Sequence, residues 1–335
     1  MPSSLRNWSG NARAAAVIVW LLTAGSVLAQ DRTSLSLAAP DLQFGPPEAS
    51  PQPTAAPPVA DLPTAQPPLL GNSYPLGQSS PSNPDQWNWQ LLPAGIIYHS
   101  YLAGPREPRF SSVLGENVQP GGIWDSTVGT RLGLIRYGNH NPCWPEGWQW
   151  DVEGAAFALF NGSRDLQDLD FRYGTVLTRR VDQWEAKIGY AHLCSHEGDQ
   201  FMLANPTIPR VENVRDTIVS GVAWRPDHAV RIYAEASWAF YTEGVTQPWE
   251  FQFGVEYSTM DPAGFAGAPF FAANARLRQE VNFGGSVNVQ AGWQWRSPTG
   301  QLLRTGAFYT NGKNDQGQFY NQYESEVGGG IWYDF

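Results

Sequence analysis

Twelve residues in the middle of the chain hold most of its reactive side chains: Ile188-Gly189-Tyr190-Ala191-His192-Leu193-Cys194-Ser195-His196-Glu197-Gly198-Asp199. Just before them, Trp184, Ala186, Ile188 and Tyr190 alternate with Glu185 and Lys187. A period of two is the signature of a β-strand with one apolar and one polar face. His192 and Cys194 continue the apolar face. Side chains two residues apart on a strand stand about 6–7 Å apart by backbone rise. The imidazole can then meet the thiol, which is the general base beside a nucleophile. A bulge in the strand would bring Ser195 into the place of Cys194. Asn213 or Asp199 would hold the ring of His192. Glu197 and Asp199 are the candidate ligands for a cation; the residues fix no cofactor, and Ca2+ is the candidate ion. That cation, or backbone N–H groups near Gly198, would polarise an ester carbonyl. One metal ion shared by His192 and His196 is disfavoured, because four residues along a strand span about 13 Å. A plainer reading stands beside the catalytic one. His192 is then an amphipathic ring at a membrane interface and Cys194 a small apolar filler.

The elements that must carry these residues are strands. Trp249, Phe251, Phe253, Val255 and Tyr257 alternate with Glu250, Gln252, Gly254 and Glu256. The same pattern runs through Ile232 to Phe240, Leu169 to Leu177 and Val287 to Trp295. Twelve segments follow: 95–102, 122–137, 148–160, 168–180, 184–196, 213–225, 229–242, 248–259, 269–280, 284–296, 301–311 and 322–335. Most reach the roughly 9–11 residues that a tilted transmembrane strand needs. Short turns at 181–183, 226–227 and 297–300 contrast with longer polar loops at 103–121, 197–212 and 312–321, an asymmetry typical of outer-membrane barrels. The tight connection at 281–284 breaks that asymmetry and marks a place where a strand could be miscounted.

The polar face is the crowded one. It carries Arg131, Asp151, Glu153, Arg172, Glu185, Lys187, Arg231, Glu235, Arg276 and Arg304, among others. In a soluble sandwich the apolar face would be the shared core. In a barrel these charges pair across a narrow lumen, where isolated they would each cost several kcal/mol. Mixed signs favour a filled lumen over a selective pore, which would show an excess of one sign. Trp148, Trp184, Trp249, Trp295 and Trp332 lie near strand ends, as an interfacial girdle does.

Composition agrees. The 335 residues are 16% charged, below the roughly 25% of average soluble chains, with 15 Trp, 13 Tyr and 16 Phe. Lys187 and Lys313 are the only lysines. A net charge of −10 argues against nucleic acid as a partner. No apolar run is long enough for a helical span.

Residues 1–29 read as a signal peptide, with Arg6 and Arg13 before the apolar Ala14–Leu22 and a cleavage site after Ala29. Residues 30–90 hold 13 of the 27 prolines and read as a disordered, Pro-rich periplasmic linker. Residues 91–335 form the barrel. Cys143 and Cys194 fall at opposite ends of the strands, about 25 Å apart across the apolar band, and cannot form a disulfide.

Two resemblances add to this reading. The alternating last strand ending in Phe335 resembles the signal by which the barrel-assembly machinery takes up outer-membrane barrels, which implies that machinery and outer-membrane lipids as partners. The segment Gly189-Tyr190-x-His192-x-Cys194 resembles outer-membrane phospholipase A, a twelve-stranded barrel with Gly-Tyr-x-His-x-Ser on its lipid-facing wall. Here Cys194 stands at the nucleophile position, and Asn213 is the counterpart of an orienting Asn, at a longer spacing. Lipid A deacylase barrels use a similar His-x-Ser pair. From Tyr98-His99-Ser100-Tyr101 to the end, the chain resembles a family of bacterial outer-membrane barrels of unknown function, whose strand-five segment reads His-x-Ser-Ser-His-x-Gly-Asp-Glu. His192, Ser195, His196, Gly198 and Asp199 match it. The expectation is an all-β, antiparallel transmembrane barrel of about twelve strands in the outer membrane. Its activity is unresolved, with a lipid acyl hydrolase or a narrow pore as alternatives.

Overall fold

A computed structural model describes residues 85–117 and 122–335. The signal peptide of residues 1–29 and the Pro-rich segment as far as residue 84 lie outside the described residues. The described residues form thirteen strands: β1 (Asn88–Leu91), β2 (Phe110–Asn117), β3 (Gly122–Gly138), β4 (Gly147–Asn161), β5 (Leu166–Val181), β6 (Trp184–Glu197), β7 (Asn213–Trp224), β8 (Val230–Gly244), β9 (Trp249–Tyr257), β10 (Ala268–Arg278), β11 (Gly284–Arg296), β12 (Leu302–Lys313) and β13 (Tyr323–Asp334). A short helix α1 (Asp199–Ala204) follows β6. Each of β2 to β13 pairs antiparallel with its neighbours in sequence, and β13 returns to β2 through Tyr333↔Phe110 to Glu326↔Asn117. The sheet is therefore a closed, twelve-stranded barrel, and closure leaves no open edge. β1 pairs with β3 on the same edge as β2 but beyond its end, Asn88↔Gly138 to Leu91↔Ile135. Residues 88–90 thus belong to a strand, not to the linker.

Eleven of the expected strands match in place, and the first does not. Residues 95–102 are not a wall strand; the first barrel strand is Phe110–Asn117, inside a segment expected to be a loop. The reason is polarity. In β2, Ser112 and Glu116 face outward beside Phe110 and Leu114, so the apolar alternation is erased. Residues 95–102 are apolar and aromatic because they are buried inside the barrel. Ile97, Tyr98 and Tyr101 have no exposed surface. The chain enters the lumen at Gly95, whose φ of +77° and 2.1 Å approach of Pro142 O to a would-be Cβ leave room for glycine alone.

Loop length does not separate the two ends cleanly. One end, here the turn end, carries the connections 139–146, 182–183, 225–229, 258–267 and 297–301 together with Phe335. The other carries 162–165, 198–212, 245–248, 279–283 and 314–322. The longest described loop, 198–212, is at the second end, here the loop end, but four-residue connections occur there too. The tight connection at 279–283 is a true hairpin closed by a 3-10 turn, with Asn282 and Phe283 at positive φ.

Segment 93–109, the plug, forms no ladder, so its backbone groups need other partners. Wall side chains supply them. Arg136 Nη2 donates to Gly95 O (2.8 Å), Arg131 Nη1 to Tyr98 O (2.6 Å) and Arg172 Nη1 to Arg106 O (2.8 Å). Glu256 accepts from Leu102 N (2.7 Å), and Arg304 Nη2 donates to Leu102 O (3.2 Å). Tyr101 donates to Glu235 and stacks on Tyr233 with centroids 3.8 Å apart. Leu102 and Ala103 pack with Phe270, Ala272, Leu302, Phe308 and Trp332 in an apolar cluster inside the barrel. Trp332 therefore faces inward and does not belong to an outer girdle. Trp148, Trp184 and Trp249 are exposed on the outer wall.

Beneath these contacts lie buried ion pairs: Arg131 and Arg172 on Glu153, Arg180, Arg225 and Arg231 on Glu185, and Arg215 and Arg276 on Glu250. At the loop end, segment 314–322 folds back as a cap. Gly317 N and Gln318 N donate to Asp170 and Asp168 (both 3.1 Å), and Asp315 pairs with Arg276 (2.7 Å). Burial alone would raise the Asp315 carboxyl. Arg276, Arg278 and Arg106 outweigh it and hold the group below the usual carboxylate range.

Candidate functional site

β6 keeps an unbroken ladder with both neighbours, Asp168↔Glu197 to Val181↔Trp184 on one side and Cys194↔Val214 to Trp184↔Trp224 on the other. The period of two therefore runs its full length. His192, Cys194 and His196 share the outer wall with Trp184 and Ile188, while Lys187, Leu193 and Ser195 turn inward. With no bulge, Ser195 stays on the opposite face from His192. It is buried under the cap, and its Oγ lies 1.9 Å from a would-be Cβ on Gly317.

Asn213 also turns inward. It is buried, and its Nδ2 lies 2.9 Å from the same would-be Cβ of Gly317. It does not hold the His192 ring. That role falls to Asp216, which sits directly across the ladder (His192↔Asp216) on the outer face of β7. His192 Nδ1 and Asp216 Oδ1 are 2.8 Å apart, and Tyr190 donates to the same oxygen at 2.6 Å. Tyr173 of β5, opposite His192 on the other side, stacks on the ring at 4.7 Å and 26°. The ring is thus fixed from two strands. Its Nε2 makes no hydrogen bond among the described residues. Cys194 is half-buried between its cross-strand neighbours Phe171 and Val214, and no hydrogen bond joins it to His192.

Asp216 was missed in the sequence, although a signal existed. The outer face of β7 reads Val214, Asp216, Ile218, Ser220, Val222 and Trp224, and an acid there breaks an apolar row. An ionised carboxylate facing lipid is expensive and marks a site when it is paired. Here it is paired with His192 and Tyr190. The position is three residues from the loop end of β7, near the rim and not at mid-wall.

Glu197 is the last residue of β6, with Oε1 buried and unpartnered, and Asp199 is exposed in the first turn of α1. Among the described residues, no three His, Cys, Asp or Glu side chains converge as a metal-binding group. Both cysteines are free thiols. Cys143 lies at the turn end, near Ser297 O and Pro298 O (3.6 and 3.7 Å), where burial raises its thiol.

Solved barrels resemble this one in outline. KdgM porin matches with a TM-score of 0.40 and 7% identity over 68% of this chain and 99% of its own. Outer membrane phospholipase A from Escherichia coli matches with a TM-score of 0.44 and 10% identity, over 68% and 93%. The Salmonella typhi outer membrane phospholipase dimer with bound calcium gives 0.44 and 9%, over 68% and 91%. No curated protein sequence matches the chain. A family model does match, over residues 83–335, which takes in the plug and the whole barrel, and the chain belongs to that family, described as protein of unknown function (DUF1207).

Proposed function

We propose that the protein is an outer-membrane barrel with a closed lumen that works at its outward and loop-end surfaces, not as a channel. The observation that carries this reading is the plug. Segment 93–109 runs through the lumen and is tied to the wall by at least five side-chain bonds to its backbone. The outer wall supports membrane residence, with Ile188, Ile218, Val222, Phe253, Val287 and Ile331 all exposed. Export with cleavage after Ala29 and uptake through the Phe335 end belong to the same proposal. The turn end, which carries Phe335 and the start of the barrel domain, then faces the periplasm. The test is planar-bilayer recording of the refolded protein. Silence is the expected result, and a steady conductance overturns the reading.

A second reading is favoured by the His192–Asp216 pair. A carboxylate on Nδ1 leaves Nε2 to act as general base, the arrangement of hydrolytic triads. On this reading His192 takes the proton of Cys194 as Sγ attacks the carbonyl carbon of an outer-leaflet acyl ester. The imidazolium then returns that proton to the departing alcohol, and water releases the acid from the thioester. Asp216 is the positioning residue for the ring, in place of Asn213. Acyl-ester release from phospholipid, with and without Ca2+, tests it. Loss of release in both His192→Ala and Asp216→Asn supports the hydrolase. No release above His192→Ala in folded protein retires it.

A further inference from the structure

A cavity of about 100 Å3 lies at the loop end between the plug, the cap and strands β2, β3, β11, β12 and β13. A single water needs about 10–15 Å3 on the same measure, so several fit. Its charged lining is unbalanced. Glu107 of the plug, Asp125 of β3, and Glu324 and Glu326 of β13 all face it. None of the four has an ion-pair partner among the described residues. Glu324 accepts one bond, from Asn314 Nδ2 (2.5 Å), while Glu107 and Glu326 accept none. These two are more than nine-tenths buried, at 4% and 8% exposure, and they come from separate elements, the plug and the wall.

The arginines around the cavity are committed elsewhere. Arg106 pairs with Asp170, Arg109 with Asp334, and Arg276 with Glu250 and Asp315. Arg131 and Arg172, which also feel Glu107, are ion-paired to Glu153. Buried carboxylates without counter-charge are costly. Elsewhere in this lumen Glu153, Glu185, Glu250 and Asp334 are met by arginines and Glu235 by Lys187, whereas these four carboxylates have no such partner among the described residues.

We infer that this cavity is a cation-binding site, closed by the cap and completed by the plug residue Glu107. The carboxylates do not converge as the first shell of a bare metal ion. The occupant therefore keeps water around it, as a hydrated divalent ion does, or carries its charge on an ammonium group. Mg2+ in particular gives up its waters reluctantly and is commonly held through them. The cation neutralises the wall that the arginines leave bare, and in doing so it ties the cap to the plug.

The site is independent of the His192–Asp216 face and of whether that face is catalytic. The experiment uses the full-length refolded barrel, freed of metal by chelator. CaCl2, MgCl2 and spermidine are titrated separately, reading tryptophan fluorescence, to which Trp332 in the lining contributes, and thermal melting. The expected result is a saturable change with one cation per chain and a melting temperature that rises with its concentration. Glu326→Gln and Glu107→Gln, each checked for folding by heat-modified migration, should each weaken that binding by about tenfold or more. The arm that saturates at the lowest concentration identifies a metal ion or an amine. Two results overturn the inference. One is no saturable response of the wild type to any of the three, which means the carboxylates hold protons instead. The other is a response that is unchanged in both variants, which places the binding elsewhere. The wild-type titration decides by itself if a variant fails to fold.

Discussion

Arg131 is the tightest test of the plug. It is 3% exposed and makes contacts to two elements at once. Nε donates to Glu153 Oε2 at 2.8 Å and Nη2 pairs with the same carboxylate, while Nη1 donates to Tyr98 O at 2.6 Å. Arg131→Met keeps most of the volume and removes every donor. Tyr98 O then has no partner, and an orphaned buried carbonyl costs about 1–3 kcal/mol. Glu153 keeps Arg172 at 2.9 Å, so its charge is not left bare. Breaking one partner from a buried pair costs about 3–5 kcal/mol, and the surviving arginine argues for the lower part of that range. The two losses arise from one side chain and overlap, so a net loss of about 3–4 kcal/mol is expected. Arg131→Lys keeps the charge but cannot reach both acceptors, so it should fall between wild type and Met. Urea unfolding of the folded barrel in detergent micelles, followed by tryptophan fluorescence, measures both. A loss below about 1 kcal/mol for Arg131→Met would mean that the plug is not held through its backbone.

Three further outcomes follow from named contacts. The Asp315 carboxyl is held below its ordinary range, so the folded state binds its proton less readily than the unfolded one. The stability it gives to the cap is complete above the usual unfolded value near 4 and is lost as the pH falls through the depressed folded value. Proteolysis of the 314–322 loop should therefore begin only in acid, and Asp315→Asn should abolish that pH dependence. A Cβ on Gly317 would sit 1.9 Å from Ser195 Oγ and 2.5 Å from its Cβ. Gly317→Ala should thus loosen the cap and raise its hydrogen exchange, and Ser195→Gly in the same chain should restore much of the protection. Ile188 is 55% exposed on the outer face of β6, and an arginine there should cost about 2–4 kcal/mol in a lipid bilayer if the wall is buried in hydrocarbon. An equal stability of Ile188→Arg in liposomes would count against the membrane.

What could be read from the sequence was whatever repeats with a period of two. In β9 and β11 an apolar outer row and a polar inner row alternate, and in β6 the same pattern runs from Trp184 to Ile188 and sets the phase for the rest of the strand, so both the strand and the face of its side chains were legible. That is why His192 and Cys194 were placed on the outer wall. β2 was hidden because its outer row contains Ser112 and Glu116 and its inner row Val113. Residues 95–102 gave a false strand because burial inside a barrel selects the same aromatic and branched side chains as a wall does. The acid in the apolar outer row of β7 was a local signal, but its pairing with His192 was not legible. Asp216 is 24 residues away and meets the ring only through the β6–β7 register, which sequence spacing does not fix. Asn213 was nearer in type to an expected orienting residue, but odd and even positions on β7 face opposite ways, and three residues separate it from Asp216.

The scarcity of lysine has a structural reason in the same plug. An irregular segment inside a barrel must find donors for its carbonyls, and the wall must at the same time neutralise its own carboxylates. A guanidinium does both, because its donors point in several fixed directions. Arg304 donates Nε to Asp334 (2.8 Å), Nη1 to Gln290 (2.8 Å) and Nη2 to Leu102 O (3.2 Å). Arg136 divides between Gln149 (2.6 Å) and Gly95 O (2.8 Å), and Arg172 between Glu153 (2.9 Å) and Arg106 O (2.8 Å). An ammonium at the end of a flexible stem is a point charge and cannot span wall and plug in this way. The two lysines stand where no such span is needed. Lys187 pairs with Glu235 at 2.5 Å and meets the plug only across the faces of Tyr98 and Tyr101, at 4.9 and 4.6 Å. Lys313 lies at the loop end and bonds Asn321. The arginine excess is thus the compositional trace of a lumen built around an unladdered chain, and it separates this barrel from one whose inner charges face only water.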